Sequence, residues 1–316
     1  MHSVKRAHPN IAWQADGRYS GSMFDLDRYL TERRSLIDSF LISQMPPEDT
    51  RPATLHRAMR YSIFAGGKRL RPILCIAAAE AVGKATDEVI RAACALELLH
   101  TYTLVHDDLP AMDDDDLRRG KPTTHITFGE ANAILAGDAL LTLAFEWMAR
   151  APGKKPNAPA DPVIELAVAS GSMGVIGGQV EDLAAEGKAP SADLVDFIHA
   201  HKTGALLRAS VRIGAMIAGA SAKELDALSR YGEHMGLAFQ IADDILNATS
   251  SSKQLGKATG SDEARGKMTY VAVYGLDVAR QRADDLIEKA VAELKGLSGS
   301  AAPLTALARF SVVRSH

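Results

Sequence analysis

The sequence predicts an all-α protein, and three observations carry that prediction. Aromatic residues make up only 5% of the chain, within a hydrophobic content of 47% that is rich in alanine, a composition suited to closely packed helices. Apolar residues recur at helical spacing along nearly every segment after the first twenty or so. No segment shows convincing period-two alternation, and no fixed-period repeat is visible. With 316 residues the chain can bury a large core. Residues 1–22 are polar and aperiodic and read as a loose arm, and 23–316 as a single domain.

The elements follow in order. Leu26, Leu30, Arg33, Ile37 and Leu41 form one stripe, closed by Pro46-Pro47. Leu55 to Phe64 is a second helix, stopped by Gly66-Gly67. Ile73 to Val82 is a third, with Pro72 acceptable in its first turn. Residues 86–107 make a long helix that Pro110 cannot continue without a kink. Ala131 to Met148 follows, then a turn-rich connection from Ala151 to Asp161. Further helices are expected at 163–177, 191–201, 204–218, 222–248, 268–295 and 303–311, with 249–267 a surface loop.

The formal net charge is −3, so nothing global points to nucleic acid or an anionic membrane. Positive charge is local, in Lys68-Arg69-Leu70-Arg71 and Arg118-Arg119. The two cysteines, Cys75 and Cys94, fit no zinc spacing and read as buried thiols in a reducing cytoplasm. The N-terminus lacks the apolar stretch of a signal peptide. Glu165, Arg208 and Arg212 interrupt the most apolar windows, so no membrane span is expected.

Acid is concentrated in two places, Asp107 to Asp116 and Asp243-Asp244-Ile245-Leu246-Asn247. Carboxylates this close repel one another unless cations sit between them. Oxygen-only ligands select hard cations, and Mg²⁺ typically takes one or two carboxylates plus substrate phosphates. The adjoining arginines would complete a diphosphate site. Asp243 and Asn247 lie four apart, on one helix face. A bend at Pro110 would bring Asp107 and Asp113 together. Gly66 to Pro72 sits at a helix N-terminus, where free N–H groups favour an anion and Arg71 can grip phosphate oxygens in parallel. It is no P-loop, since the spaced first glycine and the hydroxyl after the lysine are missing. His100, two turns before the first acid cluster, faces the same site, whereas His106 reads as structural.

Taken together, Gly66-Gly67-Lys68-Arg69-Leu70-Arg71-Pro72, His100 with His106-Asp107-Asp108, Arg118-Arg119-Gly120, Lys202-Thr203-Gly204 and Phe239-Gln240-Ile241-Ala242-Asp243-Asp244 follow the order of the trans-isoprenyl diphosphate synthases. The chain resembles that family from about residue 24 to its end, and looks closest to bacterial farnesyl diphosphate synthases and their geranylgeranyl relatives. The resemblance implies an antiparallel helix bundle around a deep central cavity, usually a homodimer, that joins an allylic diphosphate head to tail with isopentenyl diphosphate and releases diphosphate. It implies that Asp107 and Asp113 hold two Mg²⁺ (or Mn²⁺) and Asp243 a third, with Asp108 and Asp244 supporting them from behind or through water. Arg118, Lys202, Gln240, Lys257 and Lys267 match the allylic-diphosphate contacts. Lys68, Arg71, His100 and Arg119 match the isopentenyl-diphosphate site. The Thr203 hydroxyl and the carbonyls near Lys202 and Gln240 would face the carbocation, and the released diphosphate would take the final proton. Asn247 departs from the family, which usually has a third aspartate there.

Product length is expected to depend on Tyr102, five positions before Asp107. At about 1.5 Å per residue it lies roughly 7–8 Å down the helix from the acids, in the path of a growing prenyl tail. A bulky aromatic there accompanies a fifteen-carbon product in the family, so farnesyl diphosphate is the expected product and geranylgeranyl or geranyl diphosphate the alternative. A terpene cyclase would not need the Lys68, Arg71, His100 and Arg119 set. A non-catalytic subunit would tend to lose the acid clusters.

Overall fold

Residues 24–249 and 266–313 are described by the computed structural model. The expected arm at 1–22, and most of the expected loop at 249–267 including Lys257, lie outside these residues. Within them every regular element is a helix, apart from one hairpin of two-residue strands.

Helix α1 (Leu26–Gln44) starts at Asp25, whose carboxylate accepts the Arg28 N–H at 3.0 Å. Helices α2 (Ala53–Ile63) and α3 (Leu70–Val82) follow. Helix α3 is buried on nearly all sides, so its apolar residues surround it rather than lining one face. Helix α4 (Asp87–Asp107) begins with Asp87 and Glu88, favourable at a helix N-terminus, and stops three residues before Pro110. The hairpin of β1 (Leu117–Arg118) and β2 (Lys121–Pro122) pairs Arg118 with Lys121, leaving Arg119 and Gly120 as its two turn residues. Both have positive φ, 54° and 76°, as a type I′ turn requires. Short α5 (Thr124–Phe128) leads into α6 (Glu130–Ala149), which packs along α4. His106 Nε2 donates to the Ile134 carbonyl across that contact at 3.0 Å, the structural role expected of it.

The second half departs from the sequence reading in three places. The helix expected at 163–177 is two helices, α7 (Asp161–Ser170) and α8 (Val175–Ala185), parted by a turn that ends at Gly174. Gly177 and Gly178 lower helix propensity and so read as an end. Tertiary packing overrides them, because α8 must approach its neighbour closely. Helix α9 (Ala192–Ile198) then runs into a π-helical turn, His199–Gly204, and on into α10 (Ala205–Ala218) without a break. Finally the helix expected at 268–295 is divided by Gly275, at φ 80°, into α12 (Tyr270–Tyr274) and α13 (Leu276–Glu293). Helices α11 (Ala222–Thr249) and α14 (Ala302–Val313) match expectation.

Helix α10 is the hub, buried along its length and packed on α3, α4, α7 and α11. Arg69 ties the first half together. Its guanidinium donates to Asp38 at 2.9 Å, to Glu97 at 2.8 Å and to the Ile63 carbonyl at 2.8 Å, joining α1, α2 and α4 at the start of α3. Cys75 and Cys94 are both buried, as expected.

The stretch Asp161–Ala185 has a mean hydropathy of 1.4 over its most apolar window, enough by length and composition to cross a membrane, which the sequence reading discounted. It is not one straight helix here, and two of its acids are paired: Glu165 with Arg212 at 2.8 Å and Asp182 with Lys202 at 2.6 Å.

Helix α11 opens on a reciprocal cap. Glu224 accepts from the Ser221 N–H at 2.9 Å and returns its own N–H to the Ser221 hydroxyl at 3.3 Å, while the Ser298 hydroxyl donates to it at 2.6 Å. The Ser298 hydroxyl, with the Ser221 contacts, holds the Glu224 carboxyl down at about 2, against an ordinary 4.5. A depressed carboxyl stabilises the fold above its ordinary range and ceases to do so as pH falls through its folded value. Glu224→Ala is therefore expected to lower the melting temperature at neutral pH by the equivalent of about 0.5–2 kcal/mol, typical of a lost cap. The gap to the wild type should close as melting is measured from pH 4.5 down towards 2. A pH-independent gap would show that the cap does not act through charge.

Candidate active site

The acid-bearing ends meet in one cleft of about 220 Å³, lined by Asp107, Asp113, Arg118, Asp182, Lys202, Thr203, Gln240, Asp243, Asp244 and Lys267 among others. Helix α4 delivers Asp107 at its last residue. After Pro110 the chain folds back, the Asp113 N–H donating to the Asp107 carbonyl at 2.8 Å, and this bend brings the two carboxylates to one cleft as expected. Helix α11 supplies Asp243 and Asp244 from the opposite wall. Asn247 lies one turn further along α11 and is not part of the lining.

The π-helical turn delivers Lys202 and Thr203. Such turns are rare and concentrate at functional sites. It packs on α8 at Gly178, where a Cβ would come within 2.2 Å of the Lys202 nitrogen, so only glycine permits the approach. Lys202 Nζ then reaches Asp182 on α8 at 2.6 Å. Lys267 Nζ bonds Asp113 at 3.1 Å and the same Asp182 oxygen at 3.5 Å. Burial alone would raise the Asp182 carboxyl, but Lys202 and Lys267 outweigh it and hold the group below its usual range. Asp107 goes the other way: burial, reinforced by Asp113 and opposed by Lys202, pushes it up to about 6.

Asp108 does not face the cleft. It is buried against Arg118, whose Nε lies 2.7 and 2.9 Å from its two oxygens, and it serves to aim that arginine. Asp244 is likewise a support. It accepts from the Tyr270 N–H at 2.7 Å and from Gln240 Nε2 at 3.1 Å, and pairs with His199 at 3.0 Å. Burial would lower the His199 imidazole, but Asp244 prevails and raises it. Gln240 in turn accepts from the Thr203 hydroxyl at 2.7 Å.

A second cavity of about 460 Å³ adjoins the cleft and shares Leu104, Asp107, Lys202 and Thr203 with it. One end holds Arg71 and His100. Tyr102 lines it from α4, and Val175, Ile176, Gln179 and Leu183 line it from α8. Arg71 Nε is buried with no hydrogen-bond partner among the described residues. Burial, with Arg119 nearby, brings its guanidinium down to about 10, and burial plus Arg71 and Arg119 hold His100 well below its usual range. Crowded cations with an unpaired N–H fit an anion. Arg119 is close by, donating to the Gly66 carbonyl. The glycine pair itself is required by positive φ, 103° at Gly66 and 138° at Gly67. Lys68 is exposed and lines neither cavity.

Sequence reading missed Asp182, Gln179 and His199. The pair Glu181-Asp182 in the otherwise apolar run 175–185 was the available signal for Asp182; His199 offered none.

The arrangement defines an all-α enzyme that handles diphosphates beside an apolar chamber. The chain belongs to the Polyprenyl synthetase family, which matches residues 52–299, and it is a prenyltransferase. It is 46% identical over 302 residues to the large subunit 1 of heterodimeric geranylgeranyl pyrophosphate synthase of Arabidopsis thaliana, covering 93% of this chain and 81% of that one. It is 44% identical to a geranylgeranyl diphosphate synthase of Cyanophora paradoxa, covering 93% and 98%. Among solved structures, geranylgeranyl pyrophosphate synthetase from Pyrococcus horikoshii superposes with a TM-score of 0.82 at 35% identity, covering 91% of this chain and 98% of that one. An FPP/GFPP synthase from Zymomonas mobilis superposes at 0.77 and 37%, with the same coverage. The family and the all-α class stand as the sequence reading had them.

Proposed function

We propose that the chain condenses an allylic diphosphate with isopentenyl diphosphate in a Mg²⁺-dependent, head-to-tail reaction, and that its main product is farnesyl diphosphate. The observation that carries this reading is the adjacency of two compartments: a cleft of carboxylates and lysines, and a chamber with an apolar wall and an arginine whose Nε has no partner among the described residues. The allylic diphosphate would lie in the first, on Arg118, Lys202, Gln240 and Lys267, with Lys257 a further contact outside the described residues. Isopentenyl diphosphate would meet Arg71, His100 and Arg119, and Lys68 from the exposed loop.

The donor set fits Mg²⁺. No three His, Cys, Asp or Glu side chains converge as a ready-made metal site among the described residues. Mg²⁺ asks for less, since it binds through one or two carboxylates with water and substrate phosphates. Lys267 on Asp113 marks a place where positive charge is already required. Asp107, Asp113 and Asp243 would hold the ions, three in the substrate complex, and Asp108 and Asp244 would back them. The metal would supply charge neutralisation at the leaving diphosphate. The protein's own part is to add Arg118, Lys202 and Lys267 to that task. Thr203, donating to Gln240, keeps its oxygen lone pairs for the allylic carbon that becomes cationic. Asp107→Ala, or excess chelator with the wild type, is expected to cost about 10³-fold or more in turnover, measured with radiolabelled isopentenyl diphosphate. Near-normal turnover in either case would exclude the metal-assisted reading.

Tyr102 is 7% exposed, lines the chamber, and stacks edge-on with His106 at 5.4 Å, which fixes its ring. This supports a fifteen-carbon limit. A twenty-carbon product is the second reading, favoured by the names of the relatives. Tyr102→Ala should lengthen the product by one isoprene unit in thin-layer or liquid chromatography. An unchanged product, or a wild type that already makes mainly twenty carbons, would rule out Tyr102 as the stop.

A homodimer is part of the proposal. Leu135, Ile164 and Val168 leave large apolar side chains exposed on neighbouring α6 and α7, and Met173, in the turn after α7, is the most open at 72%. Light scattering should give twice the chain mass for the wild type and a single mass for Val168→Asp, and a dimeric variant would place the interface elsewhere. The buried thiols fit a reducing cytoplasm, where we place the enzyme.

A further inference from the structure

His199 opens the π-helical turn that ends at Gly204, and it is buried, 3% exposed. Both its ring nitrogens are engaged. Nδ1 lies 2.8 Å from the Val195 carbonyl, one turn back on α9, and Nε2 lies 3.0 Å from Asp244 Oδ2 on α11. Neither partner donates there. A backbone carbonyl only accepts, and Asp244 already receives the Tyr270 N–H on the same oxygen at 2.7 Å and Gln240 Nε2 on the other at 3.1 Å. A neutral imidazole has one N–H and would leave one of the two contacts without a proton, so the ring carries both. The surroundings agree: burial alone would drive the second proton off, but Asp244, the Val195 carbonyl and Asp182 outweigh it. The Tyr270 ring packs edge-on against the imidazole from α12, 5.7 Å away. A buried ion pair is a poor device for stability, since desolvation offsets most of the attraction. What this one supplies is direction. The contacts His199 to Asp244, Asp244 to Gln240 and Gln240 to Thr203 leave the π-helical turn, cross to α11 and return to the same turn four residues on.

We propose that His199 is a positioning residue for prenyl transfer: donating from both ring nitrogens, it holds Asp244 in place and, through Asp244 and Gln240, keeps the Thr203 oxygen turned towards the allylic carbon. The inference rests on the prenyl-transfer reading given above. His199 itself touches neither substrate and exchanges no proton in the reaction. The Val195 carbonyl fixes the plane of the ring, and the ring in turn fixes the Asp244 carboxylate on the side that Tyr270 and Gln240 leave open. Without the Nε2 donor the carboxylate is held by those two neutral donors alone. Gln240 is then free to turn its amide, and Thr203 to spend a lone pair on accepting from it. That lone pair matters only once positive charge develops at the allylic carbon. Loosening its orientation therefore costs turnover and leaves substrate binding as it was.

The experiment compares wild type, His199→Gln and His199→Asn as full-length proteins with Mg²⁺, isopentenyl diphosphate and geranyl diphosphate. Glutamine places its amide nitrogen near the position of Nε2 and keeps the donor to Asp244. Asparagine places its own near Nδ1 and keeps only the Val195 contact. Each variant loses one hydrogen bond, so both should melt at similarly lowered temperatures. His199→Asn should lose about tenfold in kcat with both Michaelis constants within about twofold, and His199→Gln should stay within about threefold of the wild-type kcat. Nitrogen NMR of wild type carrying isotope-labelled histidine should show, at neutral pH, a ring with two bound protons that is missing from both variants. An equal loss of kcat in the two variants, the mark of a merely structural role, would overturn the proposal. So would wild-type kcat in His199→Asn, a loss carried by the Michaelis constants, or a His199 ring with a single proton. A wild type that forms no prenyl product would overturn the prenyl-transfer reading itself, an outcome separate from these.

Discussion

Like charge at close quarters is the constraint on which this architecture depends. Asp107, Asp113, Asp182, Asp243 and Asp244 line a single cleft, and they can do so only because cations come between them. Asp182 is the keystone of that arrangement. From α8 it holds Lys202 of the π-helical turn, and it shares Lys267 with Asp113 of the turn after α4. Three separated parts of the chain are thereby tied to one carboxylate. Arg118 does the same work on the other side, where Asp108 and, at 3.7 Å, Asp115 fix its guanidinium. The lysine contacts are of a kind that can be exchanged. An ammonium on a long stem is a mobile point charge, able to leave a carboxylate for a phosphate, whereas the doubly bonded arginine is held in place.

The backbone around Lys202 is shaped to serve this cluster. A π-helical turn spends an extra residue per turn, and between α9 and α10 it turns Lys202 and Thr203 into the cleft while the flanking helices keep their buried faces in the core. Gly178 lets α8 lie close enough for Asp182 to meet Lys202, and it does so at the expense of helix propensity. Stability and function conflict at this point, and packing resolves the conflict.

That conflict also explains what could and could not be read from the sequence. The all-α class, most helix positions and the meeting of Asp107 with Asp113 across Pro110 were legible, because each is written in local periodicity or in a dense run of like residues, whereas the grouping of Arg71 with His100 came only from the resemblance to the family. Helix α8 was not. Its glycines answer to a neighbour some twenty-five residues away, and a single-sequence reading sees only their local cost. Asp182 was lost with it. Asp108 was legible as an acid but not in its direction, since only the folded hairpin puts Arg118 over it. Asn247, which looked like a weakness in the second acid motif, lies beyond the lining of the cleft, so the departure from the family falls outside the residues that face it.

Asp244 finally decides the polarity of the passage between cleft and chamber. It receives three donors, the Tyr270 N–H, the His199 imidazole and the Gln240 amide. Because a carboxylate can only accept, Gln240 must turn its nitrogen towards Asp244 and its oxygen away. That oxygen lies 2.7 Å from Thr203, so the hydroxyl must give its one proton to Gln240. Thr203 therefore keeps two lone pairs for the space it lines, and that space is the one shared by both cavities. The mouth of an otherwise apolar chamber is thus lined by oxygen that cannot act as a donor elsewhere. It is suited to an electron-poor carbon, and the direction is set by a carboxylate that need not touch the substrate at all.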